Sequence, residues 1–134
     1  MQTFLPYSDF DQSMAVLDNS RLGNQVYREG MTLIRGGWSN HPASKMWQGY
    51  EGALAQYLIA GVNELFTRGK DYYDRPWCQE LMEYATDGID MPPWLGDDRV
   101  HSSHRANLLR KDPVHYAQYN WTETPTEGYY WPVN

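Results

Sequence analysis

Between Pro42 and Arg68, apolar side chains return every three or four residues: Met46, Trp47, Tyr50, Leu54, Tyr57, Leu58, Val62, Leu65 and Phe66. That spacing is the repeat of a helix with one buried face. Pro42 suits the first turn of such a helix, and Gly69 suits its end. A long amphipathic helix needs partners to cover its stripe, and the rest of the chain offers shorter helical stretches. Asp9 is placed to cap a helix that turns Phe10, Met14 and Leu17 inward, with Gln12 at the third position. Asp18-Asn19-Ser20 reads as a break or a fresh cap. The stretch Arg21 to Arg35 is helix-compatible, with Leu22, Val26 and Leu33 inward, and Gly36-Gly37 ends it. A short helix is expected from Pro76 to Tyr84, capped by Asp74. Asp97 or Asp98 opens another that runs to Lys111, and Asp112-Pro113 closes it and can start one further turn. No alternating strand pattern competes with these elements. The expectation is an all-α fold: a compact helical bundle forming a single domain over residues 1–134, with irregular N- and C-terminal segments.

The aromatic content sharpens that picture. Eleven Tyr and six Trp in 134 residues imply a core built partly from amphipathic rings, which often leave a wet groove. The lone Cys78 excludes an internal disulfide and fits a reducing compartment. No apolar run reaches membrane length, and the first residues lack the apolar core of a signal peptide. A cytoplasmic protein with no membrane partner is therefore expected. A net charge of −6 argues against a protein that coats duplex DNA nonspecifically, since such binding rests on many phosphate contacts. The sequence has no glycine-rich phosphate loop, no GxSxG and no credible Cys/His nucleophile pair, which removes several common enzyme classes.

Against this acidic background one segment is basic. Residues 99–115 carry four Arg or Lys against one Asp, and Val100 to His115 holds His101, His104, Arg105, Arg110, Lys111 and His115. On a helix, His101, His104 and Arg105 occupy adjacent edges. Two readings are open: an anion site, most naturally for phosphate, or a solvated face whose histidines are satisfied by neighbours. No metal is expected, because the two histidines lack a third ligand and no Cys pair exists. No cofactor is expected either.

Two further clusters stand out. In NHPASKMWQGYEGAL, His41 precedes a helix start, where the positive helix end favours its neutral form. Trp47 and Tyr50 offer rings for stacking on a base. Glu51 lies near the apolar stripe, as a general acid or base or as an ion-pair partner of Arg21 or Arg105. In LDNSRLGNQVYRE, Asp18 is a helix cap or a functional carboxylate, and Arg21, Gln25 and Arg28 form a polar stripe facing ligand or solvent.

The ordered blocks TFLPYSDF, LDNSRLGNQ, NHPASKMWQGYEGAL, PPWLGD and HSSHRANLLRKDPVHY, from Thr3 to about Tyr119, resemble the small bacterial and phage branch of the pyrimidine-dimer DNA glycosylases. The resemblance implies an all-α glycosylase with β-lyase activity. In that chemistry the N-terminal amine attacks the sugar C1′ and forms an imine, a nearby Glu assists, and Arg residues grip phosphates. Gln2 is large enough to prevent trimming of Met1, so the amine would be that of Met1. The family's Glu falls near Asp18 to Arg21, where no Glu stands, leaving Asp18 or Glu51 to substitute. Arg21, Gln25, His41, Trp47, Tyr50, His101, His104, Arg105, Arg110 and Lys111 are then candidates for phosphate or nucleotide binding. The partner is DNA or a free nucleotide, and a homo-oligomer is compatible with the aromatic tail. The competing reading is a non-catalytic nucleotide-binding protein, such as a phage protein that sequesters a host signal like an ADP-ribose derivative.

Overall fold

The computed structural model of the chain describes residues 2–85 and 89–132. Its axis is helix α5, Glu51–Thr67, which buries Leu54, Tyr57, Leu58, Val62 and Leu65. Before it come α1 (Phe10–Val16), α2 (Asn19–Gly23), a π-helical turn (Asn24–Gly30), α3 (Met31–Ile34) and α4 (Pro42–Trp47). After it come α6 (Pro76–Tyr84), α7 (Asp98–Lys111), α8 (Pro113–Tyr116) and a 3-10 turn at Ala117–Tyr119. The fold is all-α, as expected, with no strand among the described residues. No helix among them is long and apolar enough to cross a membrane.

α1, the π turn and α6 all pack against α5. Two glycines permit the closest of these approaches. A Cβ on Gly30 would lie 2.2 Å from Leu58 Cδ2, and one on Gly61 would lie 2.4 Å from Val26 Cγ2. Each glycine receives a side chain of the other element, Leu58 against Gly30 and Val26 against Gly61, so the π turn and α5 pack closely. The core that results includes fully buried Leu5, Met14, Leu17, Leu22, Leu58 and Leu81, each contributing about 2 kcal/mol by its removal from water.

Several local signals act as read. Asp9 accepts from Gln12 N at 2.8 Å, Asp97 caps α7 and Asp112 caps α8. Two expectations are corrected. The helix expected over Pro42 to Arg68 is broken: Gln48 turns extended and Gly49 takes a left-handed backbone (φ 85°), so α4 ends and α5 starts anew. The apolar stripe continues through the break, which is why spacing alone did not reveal it. Asp74 does not cap α6; the cap position is Arg75, and no side chain bonds to that helix start.

The N-terminal segment is buried rather than draped on the surface. Gln2, Thr3, Phe4 and Leu5 are all almost inaccessible. The tail runs along α7, where Asn107 Nδ2 donates to Gly128 O (2.6 Å) and Tyr130 N donates to Ser103 Oγ (3.2 Å). Trp121 stacks on Tyr116 at 5.5 Å and Arg99 covers the Tyr130 ring at 4.6 Å.

Candidate functional site

A buried extended segment has backbone donors and acceptors that no sheet satisfies, so side chains must do it. Here they come from four distant elements. Gln25 Nε2 donates to Gln2 O (2.7 Å), and Gln25 Oε1 accepts from Phe4 N (2.8 Å). Tyr57 donates to Phe4 O (2.6 Å). His104 Nδ1 accepts from Leu5 N (2.9 Å), and His101 Nδ1 lies 2.8 Å from Leu5 O. Arg105 donates to Pro6 O (2.7 Å). Trp47 Nε1 donates to the Thr3 hydroxyl (2.9 Å).

The two imidazoles hold Leu5 with opposite tautomers. His101 Nε2 accepts from Gly96 N (2.9 Å), so its proton sits on Nδ1 and is donated to Leu5 O. His104 accepts through Nδ1, so its proton sits on Nε2, which has no hydrogen-bond partner among the described residues. Complete burial drives the His104 pKa down to about 3. Arg105 is bound on its outer side by Glu123 (3.0 Å) and Asp98 (3.3 Å).

These contacts correct part of the sequence reading. His101 and His104 do not face a ligand; they are buried against Leu5. The Arg105 charge is neutralised by two carboxylates. Trp47 lies in the core, with Trp94 5.0 Å away and Tyr57 5.7 Å away, and offers no face to a base. Tyr50 is half-buried at the start of α5. Glu51 is exposed there and accepts from Gly49 N (3.2 Å). Asp18 caps α2 and is held by Tyr116 (2.6 Å) and Arg21 (3.1 Å). Although burial opposes it, hydrogen bonding from Tyr116 and Arg21 keeps its carboxyl below the usual range. Met1 lies outside the described residues.

The carboxylate beside the N-terminal segment is Glu29, which sequence reasoning missed. Its Oε2 accepts from Gln25 Nε2 at 2.7 Å, from the same amide nitrogen that holds Gln2. Gln25 and Glu29 stand four apart, and both lie in the π turn, a distortion that recurs at functional sites. The four-residue spacing was the available signal.

Of the remaining candidates, Arg21 is paired with Asp18, and Arg110 and Lys111 are exposed at the end of α7. The charges of Arg110, Arg21 and Glu29 all act on the Tyr129 hydroxyl, and the same three act on Lys111. Burial is the first cause of the lowered Lys111 pKa, with Arg110 and Arg21 next. His41 Nδ1 accepts from Ala43 N (3.0 Å), and burial holds its pKa below the usual value, consistent with the neutral form. The edges of Trp38 and Trp131 meet His41 at 6.0 and 5.8 Å. Trp38 is 58% exposed and holds a left-handed backbone (φ 59°). A groove of about 360 Å³ runs past Asn24, Arg28, Glu29, Thr32 and Trp38. Arg28, Arg110 and Lys111 have no ion-pair partner among the described residues. Arg28 and Glu29 share this open groove, and the Glu29 carboxylate is tied through Gln25 to the N-terminal segment.

No curated protein and no solved structure matches the chain. The family model described as pyrimidine dimer DNA glycosylase matches residues 1–79. That span contains the N-terminal segment, Gln25, Glu29, His41 and Tyr57, while α7 lies beyond it. Since it covers more than half of the chain, the protein belongs to the pyrimidine dimer DNA glycosylase family.

Proposed function

We propose that the protein is a DNA glycosylase and AP lyase acting on damaged pyrimidines, with the Met1 amine as nucleophile and Glu29 as its acid–base partner. The observation that carries this reading is the cradle around Gln2–Pro6. Fixing each residue of a chain segment costs about 1–2 kcal/mol of backbone entropy. This chain offsets that cost with buried hydrogen bonds from Gln25, Tyr57, His101 and His104 and a partly buried one from Arg105. Such fixation suits a nucleophile that must meet a sugar carbon in one geometry.

An α-amine, with a reference pKa of about 8, is partly neutral near pH 7 where a lysine is not. Its lone pair forms the bond to C1′, and the glycosidic electron pair leaves with the pyrimidine. The amine's proton passes to Glu29, and ring opening gives the imine. Removal of a C2′ proton then expels the 3′ phosphate. Arg28, Arg110 and Lys111, which have no acidic partner among the described residues, are suited to hold the flanking phosphates. His41, with Nδ1 engaged by Ala43, has its other nitrogen available as a donor. Glu29 takes the role for which Asp18 and Glu51 were the sequence candidates, because it shares Gln25 with the N-terminal segment. Opening the duplex would expose the sugar.

Incubation with ultraviolet-irradiated DNA and borohydride tests the reading. The expected product is a covalent DNA adduct on the peptide that begins with Met1, identified by mass spectrometry. Absence of any adduct across the pH range from acid to alkaline would overturn it.

A further inference from the structure

A second groove lies beside the first. It measures about 510 Å³ and shares Asn24 and Arg28 with the groove that passes Glu29. Its walls carry Tyr27, Tyr72 and Trp77, with Arg28 and Arg75 among its lining residues. Tyr27 and Trp77 are 5.2 Å apart at 61°, and Tyr72 lies 5.9 Å from Trp77. Tyr27 is 55% exposed, so its ring is open to a ligand.

The charges there favour an anion. Arg28 and Arg75 have no acidic partner among the described residues. Of the neighbouring acids, Asp71 accepts from Tyr73 N (3.0 Å), Glu80 is bound by Arg35 (2.8 and 2.9 Å), and Asp74, next to Arg75 in sequence, forms no ion pair with it. The start of α6 opens into the groove at Arg75, Pro76 and Trp77, without a side-chain cap. An exposed Tyr27 ring beside half-buried Tyr72 and Trp77, with two guanidinium groups that have no acidic partner among the described residues, suits stacked bases with phosphates at their flanks.

We propose that this groove is a stacking subsite for an unpaired DNA strand that continues out of the candidate active site. The proposal rests on the glycosylase reading for the identity of the nucleic acid. A base inside an intact duplex has no free face for Tyr27 or Trp77, so the groove selects DNA that is single-stranded or locally opened. This selection also fits a chain with net charge −6, since coating a duplex rests on many phosphate contacts.

Fluorescence anisotropy with a labelled short oligothymidylate at low salt provides the test. Tyr27→Ala and Arg75→Gln should each weaken binding about tenfold, while Tyr27→Phe retains it. Lys70→Gln, which removes one positive charge outside the groove, should leave binding nearly unchanged. Wild-type affinity in both Tyr27→Ala and Arg75→Gln overturns the subsite, and so does an equal loss in Lys70→Gln. The borohydride adduct separates the two levels of the argument. An adduct formed with no effect of either groove variant on binding removes the subsite alone. Groove-dependent binding without any adduct leaves the subsite standing and removes the glycosylase reading. Melting curves of Tyr27→Ala and Arg75→Gln should match wild type, since both side chains lie at the surface.

Discussion

The two ends of α7 use the same residue types for opposite purposes. In its first turns, His101, His104 and Arg105 are consumed by Leu5, Pro6, Glu123 and Asp98. In its last turn, Arg110 and Lys111 are exposed, without acidic partners, and within electrostatic reach of Tyr129 and Glu29. The first end holds the N-terminal segment from behind, and the second carries its charge at the surface. The difference teaches that a cluster of His and Arg says nothing about ligands until its partners are counted. Substitutions behind the segment should act on stability, and those in front should act on DNA.

The sharpest way to break this division is Glu29→Gln, which keeps size and removes the carboxylate. If Glu29 moves protons for the amine, trapped adduct and excision rates fall by about 10²–10⁴, with little change in the urea midpoint. Glu51→Gln, at the exposed start of α5, should leave both unchanged. Comparable rates in Glu29→Gln and wild type would return the search to another carboxylate.

Behind the segment, His104→Ala should produce the largest stability loss. It leaves Leu5 N without an acceptor in a fully buried place and opens a cavity, together about 3 kcal/mol. Urea denaturation reads this directly. His104→Gln, which can still accept, should recover part of the loss. The same histidine gives the fold an acid sensitivity. Its pKa is about 3 when folded against 6.5 as the reference, so between those values the unfolded chain binds the extra proton. Its contribution is complete above pH 6.5 and is lost as pH falls toward 3. Stability should drop by about 2 kcal/mol from this group between pH 7 and pH 5, and His104→Gln should flatten that slope. Asp18 and Glu123, both held below the usual carboxylate range, contribute above their unfolded pKa values and are lost only at lower pH.

Much of the helical layout was readable in the sequence because its signals are local. Asp9, Asp97 and Asp112 cap the helices that follow them, and the left-handed Gly36 and Gly69 stop the helices that precede them. The break at Gln48–Tyr50 was not readable, because Met46, Trp47, Tyr50 and Leu54 keep helical spacing across it. The site was less legible still. The partner of His101 and His104 is Leu5, nearly a hundred residues away in sequence, and no spacing within α7 can report it. Glu29 was not legible because it stands eight residues beyond Arg21 and because its relation to the N-terminal segment passes through Gln25.

The smallest effect tests the front end of α7. Arg110→Gln combined with Lys111→Gln removes two charges that have no acidic partner among the described residues, so the melting temperature should barely move. If both side chains contact phosphates, affinity for DNA falls and the salt dependence of log K becomes shallower by about 0.7–0.9 per lost contact. Arg105→Gln is the control on the same helix. It removes one positive charge too, but from a guanidinium already bound by Glu123 and Asp98 and donating to Pro6 O. It should destabilise the fold by about 1–2 kcal/mol and leave the salt slope alone. A change of slope in Arg105→Gln as large as in the double variant would mean that the protein's overall charge, rather than the exposed last turn of α7, governs its encounter with DNA.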